Sequence, residues 1–158
     1  MIKAKMKEYR PIFISKDREK AFEYYKKLGF ECNHYTGFMD RDDLKLTLHQ
    51  LEDAAASIAP NHKVDGWSWD LYVWVDDADA LYQEFVENGA IIHYPPKDPI
   101  EYRMREFAIR DLDGYVIVIC IVSDLTLISI MGGFNMGKVI PSIKLQKWTR
   151  LRSLVCHV

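Results

Sequence analysis

Hydrophobic and polar positions repeat along the chain at an offset of 60 residues. Residues 13–31 read FISKDREKAFEYYKKLGFE and residues 73–91 read VWVDDADALYQEFVENGAI. In each copy a short β-prone run, Pro11–Ile14 or Leu71–Val75, leads into an acidic residue, an amphipathic stretch and a glycine. Asp17 and either Asp76 or Asp77 suit a helix N-cap, because a carboxylate accepts from the free amides of the first turn. Ala21, Phe22 and Tyr25 recur as Leu81, Tyr82 and Phe85, at the i, i+1, i+4 spacing that gives a helix one apolar face. Gly29 and Gly89 stand where a left-handed C-cap is wanted.

β-prone segments follow each helix. In the first half they are Phe30–Phe38 and Leu44–Leu51, with a turn over Asp40–Asp43 between them. In the second half they are Ala90–Tyr94, Met104–Arg110 and Tyr115–Val122, with a turn over Asp111–Gly114. Lys45 and Thr47 alternate with Leu44, Leu46 and Leu48, one wet face against one dry face. The two halves span about residues 7–51 and 69–122, and the small, polar stretch 52–66 connects them. A period of this length that occurs only twice fits two fused half-domains of an α+β fold better than a solenoid.

At 158 residues with 49% hydrophobic and 28% charged positions, the chain has the make-up of one globular domain that needs no staple to fold. Its longest strongly apolar run, Val116–Val122, is far short of the ~20 residues of a membrane span. The start, MIKAKMKEYR, offers no apolar stretch for a signal peptide, so a cytoplasmic location is expected. Cys32, Cys120 and Cys156 are odd in number and widely spaced, as reduced thiols are. Residues 1–120 carry 16 Lys+Arg against 22 Asp+Glu, whereas residues 121–158 carry 5 against 1. The acidic main body argues against a nucleic-acid partner and suits a neutral or cationic small molecule.

The pattern strand, Asp17, helix, Tyr24-Tyr25, Leu28-Gly29-Phe30 resembles the opening of the vicinal oxygen chelate superfamily, which includes glyoxalase I, extradiol dioxygenases, fosfomycin-modifying enzymes and bleomycin resistance proteins. Leu46-Thr47-Leu48-His49 resembles the L-E-L-H strand of the bleomycin resistance type. The run from Val75 to Tyr82 resembles the start of that type's second helix. The stretch from Met104 to Gly114 resembles its M-R-E-F-x-x-x-D-P-D-G-N segment, with Leu112 for proline and Tyr115 for asparagine. The likeness covers about residues 8–120 and leaves the tail aside. It implies two tandem βαβββ modules within 1–122, curled into a cup-like eight-stranded mixed sheet, with 123–158 as a C-terminal extension. It also implies a homodimer whose pockets are shared between chains. The family's metal-ligand places fall here on Arg10, Asp70 and Val118, with His49 near a fourth. Arginine and valine cannot ligate a divalent cation, so no metal or other cofactor is expected. The resemblance then implies non-catalytic sequestration of a planar or cationic compound, as in antibiotic resistance. The alternative is a metal-dependent lyase, transferase or dioxygenase of the same superfamily.

The aromatic residues point the same way without the resemblance. Trp67, Trp69, Tyr72 and Trp74 fall within eight residues. They read either as sheet core or as the wall of a site for a planar ligand; the wall is favoured because four large aromatics exceed what a small sheet needs for packing. Tyr102 sits three residues before Arg105, where the resembled type carries a pocket tryptophan. Glu106 and Asp70 are the acids placed to meet a cation, with a solvated strand edge as the plain reading of each. Phe38 and Phe107 lie on strands and divide between core and pocket lining. His49 closes a clean alternating strand, as a ligand contact or as a satisfied buried histidine. In the tail, Ile143, Trp148, Leu151 and Val155 against Lys144, Lys147, Arg150 and Arg152 read as a membrane-surface or dimer-contact helix, or as an extension that covers surface.

Overall fold

A computed structural model describes residues 4–5, 7–53, 55–66, 68–99 and 104–122. The readings placed on Trp67, on Tyr102 and on the tail 123–158 therefore lie outside the described residues. The first module runs β1 (Ile12–Ser15), α1 (Arg18–Lys27), β2 (Glu31–Cys32), β3 (Phe38–Arg41) and β4 (Leu44–Gln50). After a short helix α2 (Asn61–Val64), the second runs β5 (Leu71–Trp74), α3 (Ala78–Glu87), β6 (Ile91–Lys97), β7 (Met104–Arg110) and β8 (Val116–Val122). The eight strands form two four-stranded mixed sheets in the same order, β1-β4-β3-β2 and β5-β8-β7-β6. In each, the first strand pairs parallel to the last and the remaining pairs are antiparallel. Among the described residues no helix is long and apolar enough to cross a membrane.

Local chemistry sets these bounds. Asp17 accepts from Lys20 N and Asp77 from Ala80 N, so each long helix starts on an aspartate cap. Gly29 and Gly89 end them with φ of +83° and +78°, a conformation that costs a side chain energy. The expected strand over Phe30–Phe38 is broken. Asn33 Oδ1 accepts from Tyr35 N and Thr36 N at 3.0 Å each, which folds the chain back at a side-chain turn. Only Glu31–Cys32 pairs before it, and β3 runs on to Arg41, so the hairpin turn tightens to Asp42–Asp43.

One core joins the modules. Phe13, Phe22, Tyr25, Leu28, Met39, Leu46 and Leu48 from the first share a buried cluster with Phe85, Phe107, Ile109, Ile117 and Ile119 from the second. Both sheets turn their helix-covered faces to this cluster, so their opposite faces point away from it. Polar contacts cross the same junction. Tyr24 Oη donates to Arg110 O and Tyr25 Oη to Asp111 Oδ2, each at 2.9 Å.

Burial pushes the Asp111 carboxyl up to about 6, against the opposing pull of donors from Tyr25, Tyr115 and Asp113. An unfolded aspartate titrates near 3.9. Between those values the folded state binds more protons, so this group's contribution to stability grows as pH falls from about 7 to 4 and is lost as pH rises through about 6. The difference amounts to about 3 kcal/mol at 1.36 kcal/mol per pH unit. Urea midpoints of the native chain and of Asp111→Asn, followed from pH 7 to 4, should show the native chain gaining on the variant. A constant gap would mean that Asp111 stays ionised in the fold.

Candidate functional site

The outward face of the second sheet is built by alternation. On β5, Leu71 and Val73 face the core while Tyr72 and Trp74 face out; on β8, Val118 and Cys120 face out; on β7, Glu106 and Ala108 face out. Strand register lines these up in rows. Trp74 is opposite Cys120, Cys120 opposite Glu106 and Glu106 opposite Lys97. Beside that row, Tyr72, Val118, Ala108 and Tyr94 stand opposite one another in the same order. Trp69 closes the near end, packed with Tyr94 on Ala108, Val116 and Val118. Its ring centre lies 5.6 Å from His93 and 6.0 Å from Tyr94.

The rings are half open. Tyr72 and Trp74 keep 38% and 37% of their surface exposed, with ring centres 6.1 Å apart. Glu106 sits among them at 0% exposure, where it accepts from Tyr94 Oη at 2.8 Å. A carboxylate is rarely buried so fully unless it is bonded. Burial, helped by the nearby Glu106 charge, pushes the Cys120 thiol up to about 12, so it is an inert packing group at neutral pH. The arrangement offers flat apolar surfaces beside a fixed negative charge. A hollow of about 620 Å³ also opens between the modules, floored by Val73, Ile117 and Ile119. That floor is the core side of the sheet, and at the end of β5 the hollow's lining reaches Trp74 of the aromatic face.

The outward face of the first sheet carries Ile12, Ile14, Phe38, Asp40, Thr47 and His49. Ile12 is opposite Thr47, Thr47 opposite Phe38, and Ile14 opposite His49. The Arg10 guanidinium lies 4.1 Å from the centre of the Phe38 ring and donates to both Asp40 oxygens, which holds the Asp40 carboxyl below its usual range.

The candidates thus divide. Trp69, Trp74 and Glu106 share one face, and Phe38 and His49 share the other. Phe107 belongs to neither. It alternates with Glu106, is 0% exposed, and packs edge-on against Tyr82 and Phe85 of α3. Asp70 turns its carboxylate to the backbone. Its Oδ1 accepts from Asn61 N and its Oδ2 from Val116 N, both at 2.8 Å, so it staples α2 to the start of β8. Tyr94 and Lys97 lay unmarked by the sequence reading. The signal for them was Pro95-Pro96, since a proline pair inside a strand marks a bulge.

A divalent cation does not fit the residues at the expected places. Arg10 is itself a cation bound to Asp40, both Asp70 oxygens are taken by backbone amides, and Val118 has no donor atom. Among the described residues, no three His, Cys, Asp or Glu side chains gather as ligands would.

The sequence profile of the glyoxalase/bleomycin resistance protein/dioxygenase superfamily matches residues 10–119. The chain belongs to that superfamily. A glyoxalase/bleomycin resistance protein/dioxygenase from Alicyclobacillus acidocaldarius is similar in fold, with 18% identity, a TM-score of 0.57 and coverage of 73% of this chain and 91% of that one. A bleomycin resistance determinant encoded on the transposon Tn5 gives 20% identity, a TM-score of 0.57 and coverage of 73% and 97%. TioX from Micromonospora sp. ML1 gives 17%, 0.52, 73% and 99%. At such identities the likeness to these three is one of fold. A comparison with curated proteins gives no match.

Proposed function

We propose that this superfamily member is a cytoplasmic binding protein that sequesters a planar, cationic small molecule and performs no chemistry on it. One observation carries the reading: a fully buried carboxylate, Glu106, at the centre of a face whose tryptophan and tyrosine rings stay half open. Rings attract a flat ligand and a cation together, and the carboxylate supplies the matching charge. The name of the Tn5 relative supports a protective role. The reduced thiols Cys32 and Cys120 support a location in the cytoplasm.

The binding unit of this reading is a homodimer. One chain holds Phe38 and His49 on one outward face and Trp69, Trp74 and Glu106 on another, so a second copy is what would bring the two sets together. Ile12, Ile14, Phe38, Tyr72 and Trp74 are large hydrophobics exposed on those faces, as surfaces that meet a partner are. Light scattering should return twice the chain mass at micromolar concentration; a monomer would leave each face a half-site.

The direct test uses 10-methylacridinium, a planar aromatic cation, followed by tryptophan fluorescence. Stacking on one aromatic side chain is worth about 1–3 kcal/mol. Trp69→Ala and Trp74→Ala should therefore each weaken binding by about 5- to 150-fold with little change in urea midpoint. Affinity untouched in both variants would remove the binding reading.

A further inference from the structure

We infer that Lys97 is a built-in stand-in for the ligand's positive charge, and that a cationic ligand binds by displacing it. The inference rests on the binding reading above and names what that site selects for. The Lys97 ammonium lies 3.8 Å from the centre of the Tyr94 ring and 3.4 Å from Glu106 Oε1. A cation over an aromatic face beside a buried carboxylate is the recognition chemistry proposed for the ligand, already realised inside the free protein.

The backbone is shaped to put it there. Tyr94 is opposite Ala108 and Lys97 opposite Glu106, so three steps along β6 match two along β7. The extra residue is a bulge across Pro95-Pro96. Without it, residues 94 and 97 would point to opposite faces. With it, the lysine stands on the face of the tyrosine. Arg105, the neighbour of Glu106 in sequence, is turned elsewhere, to Asp79 and Asp98 at 2.7 Å each.

The same geometry makes Lys97 removable. It ends its strand, and its side chain keeps 48% of its surface in solvent while Glu106 keeps none. A half-exposed ion pair and one cation–π contact are both weak and reversible. The lysine therefore offsets the buried charge when the face is empty and yields to a cation that also brings a ring system. A neutral flat molecule of the same shape gains nothing by displacing it and leaves the pair in place, so Glu106 sets the preference for cations and Lys97 tempers it.

The test compares 10-methylacridinium with its uncharged isostere 9-methylanthracene on the full chain. The readout is the ratio of the two dissociation constants, with urea midpoints for every variant. Lys97→Met should shift the ratio about tenfold in favour of the cation, equivalent to about 1.4 kcal/mol. Lys97→Gln, which keeps a polar tip, should shift it the same way. Glu106→Gln should shift it by at least as much in favour of the neutral isostere. An unchanged ratio in both Lys97 variants, with binding that still depends on Trp69 and Trp74, would overturn the displacement and leave the binding reading standing. Binding that ignores both tryptophans would remove the reading and the role of Lys97 with it.

Discussion

Replacing Phe107 by alanine is expected to cost about 3–5 kcal/mol of stability, the range for a large aromatic cut out of a core. The reason lies in its position in the middle of β7. Its ring centre is 5.3 Å from Tyr82 and 6.2 Å from Phe85, edge-on to both, so it is the contact by which the second sheet grips α3. Its neighbours on adjacent strands are held by β-ladder bonds and α3 is tied to β6 and β8 as well, so the cavity has little room to collapse. A domain of this kind has about 5–15 kcal/mol in total, so the variant should approach the threshold of folding at room temperature. Tyr82 and Phe85 also lose ring-edge contacts worth about 0.5–1.5 kcal/mol apiece. Urea denaturation followed by far-ultraviolet circular dichroism gives the number. A loss below about 1 kcal/mol would mean that the helix side of the sheet repacks, and Phe107 would return as a candidate for lining a site. Trp74→Ala, two strands away on the opposite face, is the internal control, since that ring already stands partly in water.

That contrast shows how much of the molecule was legible in the sequence. Both long helices were, because Asp17 and Asp77 cap them, one apolar stripe runs along each, and Gly29 and Gly89 close them with positive φ. Alternation identified β4, and β-prone runs identified β7 and β8, on which the neighbours Glu106 and Phe107 point to opposite faces. It did not say which face met the helix, because Phe107 and Trp74 look alike as letters; only the packing of α3 separates them. Periodicity also failed in β6, and for a physical reason. Register shifts after Ile92 and after Tyr94 insert residues into the ladder, so the two-residue period that reads faces from sequence no longer holds. Tyr94 and Lys97 were invisible for that reason, although they touch the most deeply buried charge on the outward face. The loop after β2 was lost in the same way, since Asn33 spends its side chain on local amides and stops a strand that composition favours.

Asp70 is where a residue chosen for its charge turns out to serve the backbone, and its replacement carries the other large effect. Asp70→Ala should cost about 1–3 kcal/mol: it strips the acceptors from two amides, of which Val116 N is part-buried and goes unsatisfied, whereas the exposed Asn61 N can turn to water. One of those amides, Asn61 N, opens α2; the other, Val116 N, opens β8, and Asp70 N donates back to Val116 O at 3.1 Å. The carboxylate therefore anchors the connector between the modules to the last strand of the second sheet. Asp70→Asn should rescue little of this loss. An amide side chain has one acceptor and one donor end, so whichever way it turns, its NH₂ faces a backbone N–H. Asp70→Glu keeps both oxygens but lengthens the reach by one methylene, and should fall between the two. The order of urea midpoints, native above Glu above Asn and Ala, follows from acceptor geometry alone. Native stability in the alanine and asparagine variants, with lost affinity for 10-methylacridinium, would instead make Asp70 a ligand contact and move the site toward the entrance of β5.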